Sequence, residues 1–180
     1  MIKNVLKALA ILSLTSSVSF ADSNSVTIDQ IGNDNFIIVK QEGNFNTSTA
    51  LQLGNNNQSL LESPDEIGNI PDIPGQVQLG NGNNARLVQM GNNNYAGQYQ
   101  NGNFNIAEVV SMGYGNVAIQ VQEGDGNTNN LSQEGDFNSS ADLQYGNGNT
   151  INKEQIGDFN SSRVTQVGNG ATITIIEVSP

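Results

Sequence analysis

Gln122-Glu-Gly124-Asp-Gly-Asn127, Gln133-Glu-Gly135-Asp-Phe-Asn138, Gln144-Tyr-Gly146-Asn-Gly-Asn149 and Gln155-Ile-Gly157-Asp-Phe-Asn160 are four copies of one phrase, Gln-x-Gly-x-x-Asn, at a step of 11 residues. Upstream the same grid catches Gln30, Gln41 and Gln52. After a break it catches Gln78, Gln89, Gln100 and Ser111 (in place of Gln), and it ends at Gln166, twelve copies in all. A short period held over a whole chain marks a stacked repeat architecture.

Counting each repeat from its Gln as position 0, Gly falls at 2 and Asn at 5. Positions 2 to 4 read as turns, as in Gly80-Asn-Gly82 and Gly146-Asn-Gly148, because Gly and Asn tolerate positive φ. Between turns, polarity alternates with the period of two that marks a strand. Position 7 is small or aliphatic, as in Ile37, Ser48, Ala85, Ala96 and Ile151. Position 9 carries Val39, Leu61, Leu87, Val109, Leu131 and Val164, with Gln98, Gln120, Asp142 and Lys153 as exceptions. Positions 5, 7, 9 and 0 are therefore assigned inward, and 6, 8 and 10 outward. One 11-residue unit cannot bury its inner face alone, but two close into a 22-residue strand–turn–strand rung over a thin core. The expected fold is all-β: an amyloid-like β-solenoid of 22-residue rungs built from 11-residue half-repeats. Twelve units make about six rungs, roughly 29 Å of stack at 4.8 Å per rung. Stacked in register, inward Gln and Asn amides hydrogen-bond up their columns and satisfy polar groups the core would otherwise penalise.

Composition narrows the function. The 180 residues contain no Cys, His or Trp, so the commonest general base, thiolate nucleophile and zinc ligands are missing. No cofactor and no metal site are expected. Asp125, Asp136 and Asp158 are too sporadic for a calcium coil. Seventeen acidic residues against six basic ones give a formal charge of −11, which becomes −13 once Lys3 and Lys7 are removed with the leader. That charge disfavours nucleic acid and anionic membranes as partners.

Residues 1–21 read as a secretory signal peptide. Lys3 and Lys7 supply the positive start, Ala8 to Leu14 the short apolar run, and Ser19-Phe-Ala21 the small residues before cleavage after Ala21. A short acidic lead-in, 22–29, precedes the repeats of 30–178. An irregular insertion at about 62–76 holds three of the four prolines, Pro64, Pro71 and Pro74, and Glu66-Ile-Gly68-Asn69 reads as a decayed copy within it. Asp142 and Lys153 occupy inward position 9 in consecutive units, so they are expected to pair across the core. The last unit replaces Asn with Ala171. It ends in the β-prone Thr172-Ile-Thr-Ile-Ile-Glu-Val178, an edge open to strand addition.

Gln78-Leu-Gly80-Asn-Gly-Asn83-Asn-Ala85-Arg-Leu-Val-Gln89, with Ala96 in the next copy, resembles the curlin repeat. Curlins are subunits of curli, the functional amyloid of bacterial surfaces, and the resemblance spans nearly all of the chain after the leader. It implies a β-solenoid secreted through the periplasm that grows end to end into an extracellular fibre for cell adhesion and biofilm matrix. The acidic chain is more like the major subunit than the nucleator. The implied partners are copies of itself, a nucleator subunit, an outer-membrane secretion pore, and host or abiotic surfaces. The polymerisation ladder it implies comprises Gln30, Gln41, Gln52, Gln78, Gln89, Gln100, Gln122, Gln133, Gln144, Gln155 and Gln166. With them go Asn35, Asn46, Asn57, Asn83, Asn94, Asn105, Asn116, Asn127, Asn138, Asn149 and Asn160. Ser111 and Ala171 depart from the pattern. The alternative function is a monomeric extracellular β-solenoid that binds glycan, ice or a surface. It calls for a flat Thr-x-Thr ladder, approached only by Thr47-Ser-Thr49 and Thr172-Ile-Thr174. An enzyme is not expected, since the acids are scattered and a 22-residue rung is too thin for a cleft.

Overall fold

The computed structural model describes residues 8–14, 24–59 and 75–180, and for residues 8–14 the backbone alone. Among these residues every regular element is a strand. In chain order they are β1 (Ala8–Leu14), β2 (Ser25–Ile31), β3 (Asn35–Glu42), β4 (Thr47–Leu53), β5 (Gln58–Ser59), β6 (Gln76–Leu79), β7 (Asn84–Asn92) and β8 (Tyr95–Asn101), followed by β9 (Ile106–Tyr114), β10 (Val117–Glu123), β11 (Thr128–Glu134), β12 (Ser139–Tyr145), β13 (Thr150–Ile156), β14 (Ser161–Val167) and β15 (Thr172–Val178).

The strands form two parallel sheets that face each other. The first runs β1-β3-β5-β8-β10-β12-β14, with β6 also paired to β3 and β8. The second runs β15-β13-β11-β9-β7-β4-β2. Each turn carries the chain from one sheet to the other, so two strands complete a rung and the next rung stacks on it in register. Gln122 thus lies between Gln100 and Gln144. The result is a β-solenoid of about six turns with a 22-residue rise. The inward alternation is plain in β3, where Asn35, Ile37, Val39 and Gln41 are buried and the residues between them are partly exposed. Ile37, Val39, Ala50, Leu87, Ala96, Val109, Ala118 and Leu131 make up the apolar core, with Val26 and Ile28 against it. Single β-branched, Leu and Ala side chains at positions 7 and 9 suffice because the gap between sheets is one side-chain layer deep.

Three details depart from the sequence reading. The expected lead-in of 22–29 gives way, from Ser25 on, to a solenoid strand: Ser25–Ile31 is paired residue for residue with β4. It escapes the grid because no Gln-x-Gly precedes it, although Asn24 stands at the Asn position and its Oδ1 accepts the Asn46 N–H at 2.9 Å. The insertion falls within a single strand of the stack. Ser59 pairs with Ile37 and Gln76 with Val39, so β5 and β6 are two ends of one strand, interrupted at a single outward position. Rungs that flank it are separated by 37 residues instead of 22, as at Gln41 and Gln78. Position 9 of this unit therefore belongs to Gln76, and not to Leu61. The segment 60–74, with Leu61 and Glu66–Asn69, lies outside the described residues, as does the cleavage site at Ala21. β4 pairs with β7 along its length, so the stack is continuous past the insertion. Finally, positions 8 and 10 point outward but are not uniformly solvated. On the outer side of the first sheet Ile119, Val121, Ala141 and Leu143 form a second buried cluster with Tyr99, Val117 and Tyr145.

Candidate functional site: amide columns and the ends of the stack

Parallel in-register pairing places every position-0 Gln directly above another. In the first sheet Gln41 Nε2 donates to Gln78 Oε1 at 2.7 Å, Gln78 to Gln100 at 3.0 Å, Gln100 to Gln122 at 3.0 Å, Gln122 to Gln144 at 2.9 Å and Gln144 to Gln166 at 3.1 Å. In the second, Gln30 donates to Gln52, Gln52 to Gln89, Gln133 to Gln155, and Gln155 to the Glu177 carboxylate at 2.6 Å. The second amide hydrogen crosses the core. Gln100 also donates to Asn84 O, Gln122 to Ile106 O and Gln144 to Thr128 O, each near 3.0 Å. Each of these three Gln thus ties its rung to the next and its sheet to the opposite one, using both donors of a single buried amide.

Position-5 Asn works differently. Its Nδ2 donates to the carbonyl of the position-2 Gly one rung on, as in Asn105 to Gly124 at 2.8 Å, Asn116 to Gly135 at 2.8 Å and Asn127 to Gly146 at 2.7 Å. Its Oδ1 accepts the backbone N–H of the Asn above, as Asn105 does from Asn127 at 2.9 Å. The Asn column is therefore mostly a side-chain clamp on turn backbone, supplemented by amide–amide contacts such as Asn160 Nδ2 to Asn138 Oδ1 at 3.0 Å. Ser111 breaks the second-sheet Gln column. Its hydroxyl donates to Gln133 Oε1 at 2.9 Å, whereas Gln89 below it reaches only the Gln58 carbonyl.

Position 9 of the first sheet forms a polar column that the sequence showed only as exceptions. Gln76 Nε2 donates to Gln98 Oε1 at 2.8 Å, and Gln98 to Gln120 at 3.0 Å; Gln120 turns across the core to Asn129 Oδ1 at 3.0 Å. Asp142 follows in the column. Lys153, at position 9 of the opposite sheet, donates from Nζ to Asp142 Oδ1 and to Ser140 Oγ at 2.9 Å, with both charged side chains fully buried. Asp142 Oδ2 has no hydrogen-bond partner among the described residues. Burial pushes the Asp142 carboxyl above its ordinary range, and the Lys153 ammonium pulls it back only in part.

At the corners, positions 2 and 4 both take positive φ. Position 2 is Gly because a Cβ would strike the rung above: one on Gly124 would lie 2.1 Å from Gly146 O. Position 4 alternates between Gly and larger residues, including Phe45, Phe104, Phe137 and Phe159 at φ 57 to 59°. A bulky residue in the left-handed region is unusual. At one corner two of these rings stack, with Phe137 and Phe159 centroids 5.3 Å apart and 10° from parallel. An open groove of about 330 Å³ on the outer face of the second sheet is lined by Glu108, Asn130, Asn152, Glu154 and Thr174 among others. This is a ribbon of single outward side chains, with no convergent group of acids. Among the described residues no cluster of three carboxylates fit to hold a metal occurs.

The curlin associated repeat family matches residues 21–44 and 32–63. No curated protein and no solved structure matches.

Proposed function

From the premise that the chain belongs to the curlin family, we propose that this structural protein is the repeating subunit of an extracellular amyloid fibre. It is exported behind its leader and polymerises by strand addition at the solenoid ends to serve adhesion and biofilm matrix. The carrying observation is that every rung is joined to the next by parallel backbone pairing and by amide columns, while β14, β15 and β2 end their sheets with one edge unpaired. Such edges are templates for another chain. The columns give the template a direction, since each Gln Nε2 donates toward the C-terminal end and each Oε1 faces the N-terminal end. Growth is therefore head to tail, with open instead of closed symmetry. A nucleator that offers a first edge, an outer-membrane pore, and host or abiotic surfaces are the partners this reading requires.

The test is a time course of the processed chain, from Asp22, diluted out of denaturant and followed by thioflavin fluorescence and fibre diffraction. A sigmoidal rise with reflections near 4.7 and 10 Å is expected. A stable, soluble monomer with and without added preformed fibre seeds would refute the proposal.

A further inference from the structure

After the leader, the solenoid contains seven strands in the second sheet and six in the first (β5 and β6 counting as one), so thirteen half-rungs. Among the described residues after the leader its first strand is β2 and its last is β15, both in the second sheet. A solenoid changes sheet at every turn, so the strand that follows β15 belongs to the first sheet, on top of β14. The geometry points to a fibre in which each copy is rotated by half a turn about the long axis relative to its neighbour. The first sheet of one copy then continues as the second sheet of the next. In this arrangement β2 of the incoming copy stacks on β14, and its β3 stacks on β15. The inference rests on the fibre reading above and specifies its junction.

The register that follows keeps like on like. Ile28 falls on Val164, Gln30 on Gln166, Ile37 on Ile173 and Val39 on Ile175, all facing inward. Outside, Ile31 falls on Val167, two apolar side chains left 59% and 77% exposed in the single chain. Asp29 falls on Thr165, diagonally beside Arg163, within the reach of cross-strand charge pairs. Polar atoms left over at the two ends also match. Gln166 Nε2, with no rung above it, folds back to Ala171 O at 2.7 Å, whereas interior glutamines donate to the next Gln. The incoming Gln30 Oε1 restores that partner. At the corner, interior position-2 glycines pack on the carbonyl of the next rung, but Gly168 has nothing within 4 Å, and the incoming Gly32 falls there.

β1 supplies an independent observation. It pairs with the free edge of β3 in parallel register, Ala10 beside Ile37 and Leu12 beside Val39. That is the slot which the half-turn assigns to β15 of the preceding copy, with Ile173 and Ile175 in place of Ala10 and Leu12. The edge is thus shaped to take a strand in that register, and removal of the leader frees it. Stacking without rotation would put β2 on β15 and leave a whole strand slot empty between β14 and the incoming β3. Their backbones would stand about 9.6 Å apart, twice the strand spacing, with inward amides unpaired. It would also set Asp29 against Ile176.

The absence of cysteine makes the test free of background. Two single variants of the processed chain, Asp29→Cys and Thr165→Cys, are mixed, assembled and treated with a thiol–thiol crosslinker that spans about 5 Å. Both positions are exposed. The expected result is a covalent dimer, on a denaturing gel, that neither variant yields alone, and no dimer from the mixture of Asp29→Cys with Ile176→Cys. Crosslinking of the second mixture in place of the first overturns the half-turn, as does failure of both in material that has formed fibres. If the wild-type chain forms no fibres under any seeding, the fibre reading itself fails, and the junction with it.

Discussion

The ammonium of Lys153 and the carboxylate of Asp142 meet inside the closed space between the two sheets, each from position 9 of its own strand, with both side chains fully buried. Removing one partner leaves an uncompensated buried charge, which costs about 3–5 kcal/mol. Lys153→Ala is therefore expected to lower the denaturation midpoint sharply. Lys40→Ala breaks a surface pair with Glu42 whose side chains are 39% and 42% exposed, and such pairs are worth about 1 kcal/mol or less. Replacing both buried partners, Asp142→Gln with Lys153→Leu, extends the Gln76–Gln98–Gln120 column on one side and the Leu131 apolar column on the other. The double variant is expected to match or exceed the wild type. Denaturant unfolding of these chains, together with the single variants Asp142→Gln and Lys153→Leu, checks this, and losses of the two singles that add up in the double variant would refute the pairing.

The pH dependence of the pair has a definite sign. Burial raises the Asp142 carboxyl in the folded chain. A raised folded value means that the folded state holds its proton more tightly. The contribution to stability is thus fully present below the ordinary aspartate value of about 4 and is lost as pH rises through the raised one. The stability of the wild type minus that of the Asp142→Gln/Lys153→Leu chain should fall as pH climbs from about 3 toward neutrality. Fibre growth should also be faster in acid, because neutralising carboxylates relieves the repulsion among chains of formal charge −11. Growth rates that do not change between about pH 4 and 8 would contradict this.

Ser111 is a gap in an otherwise continuous Gln column, with Gln89 Nε2 left without a Gln above it. Ser111→Gln should give Gln89 Nε2 a side-chain acceptor while replacing the bond that Ser111 already makes to Gln133, a net gain of one rung-to-rung hydrogen bond. At about 1 kcal/mol net, the melting temperature should rise by about 2–4 °C. A lower melting temperature would show that the local core has closed around the smaller side chain.

Glycines at positions 2 and 4 should behave unequally. Gly124→Ala drives a Cβ to 2.1 Å from Gly146 O, so the rungs must part at that corner. The expected loss is about 3 kcal/mol or more. Gly148→Ala meets nothing within 4 Å and carries only left-handed strain, about 1–2 kcal/mol. Thermal unfolding of the two variants, or their lag times in assembly, should rank them in that order.

The 11-residue step, the Gln and Asn columns and the inward parity of Ile37, Ala96 or Leu131 could all be read from the chain. A strand shows its two faces at a period of two, and a repeat copies that choice at every rung. The sequence also displayed Gln98, Gln120, Asp142 and Lys153 as breaks in position 9; the Asp142–Lys153 pair could be read from it, but the partners of Gln98 and Gln120 could not. Which side chain meets which across the core depends on the offset between the sheets, and the turns set that offset. The folded chain sets position 7 of one strand against position 9 of the other, bringing Asn129 to Gln120 and Ser140 to Lys153. It also places Gln76, and not Leu61, in the column, because an insertion can leave a strand and rejoin it one position later without altering the register of the stack. Phrase counting from Gln30 found twelve units. The thirteenth half-rung, β2, became visible only through its pairing with β4, because its identity lies in backbone hydrogen bonds that any alternating strand can make.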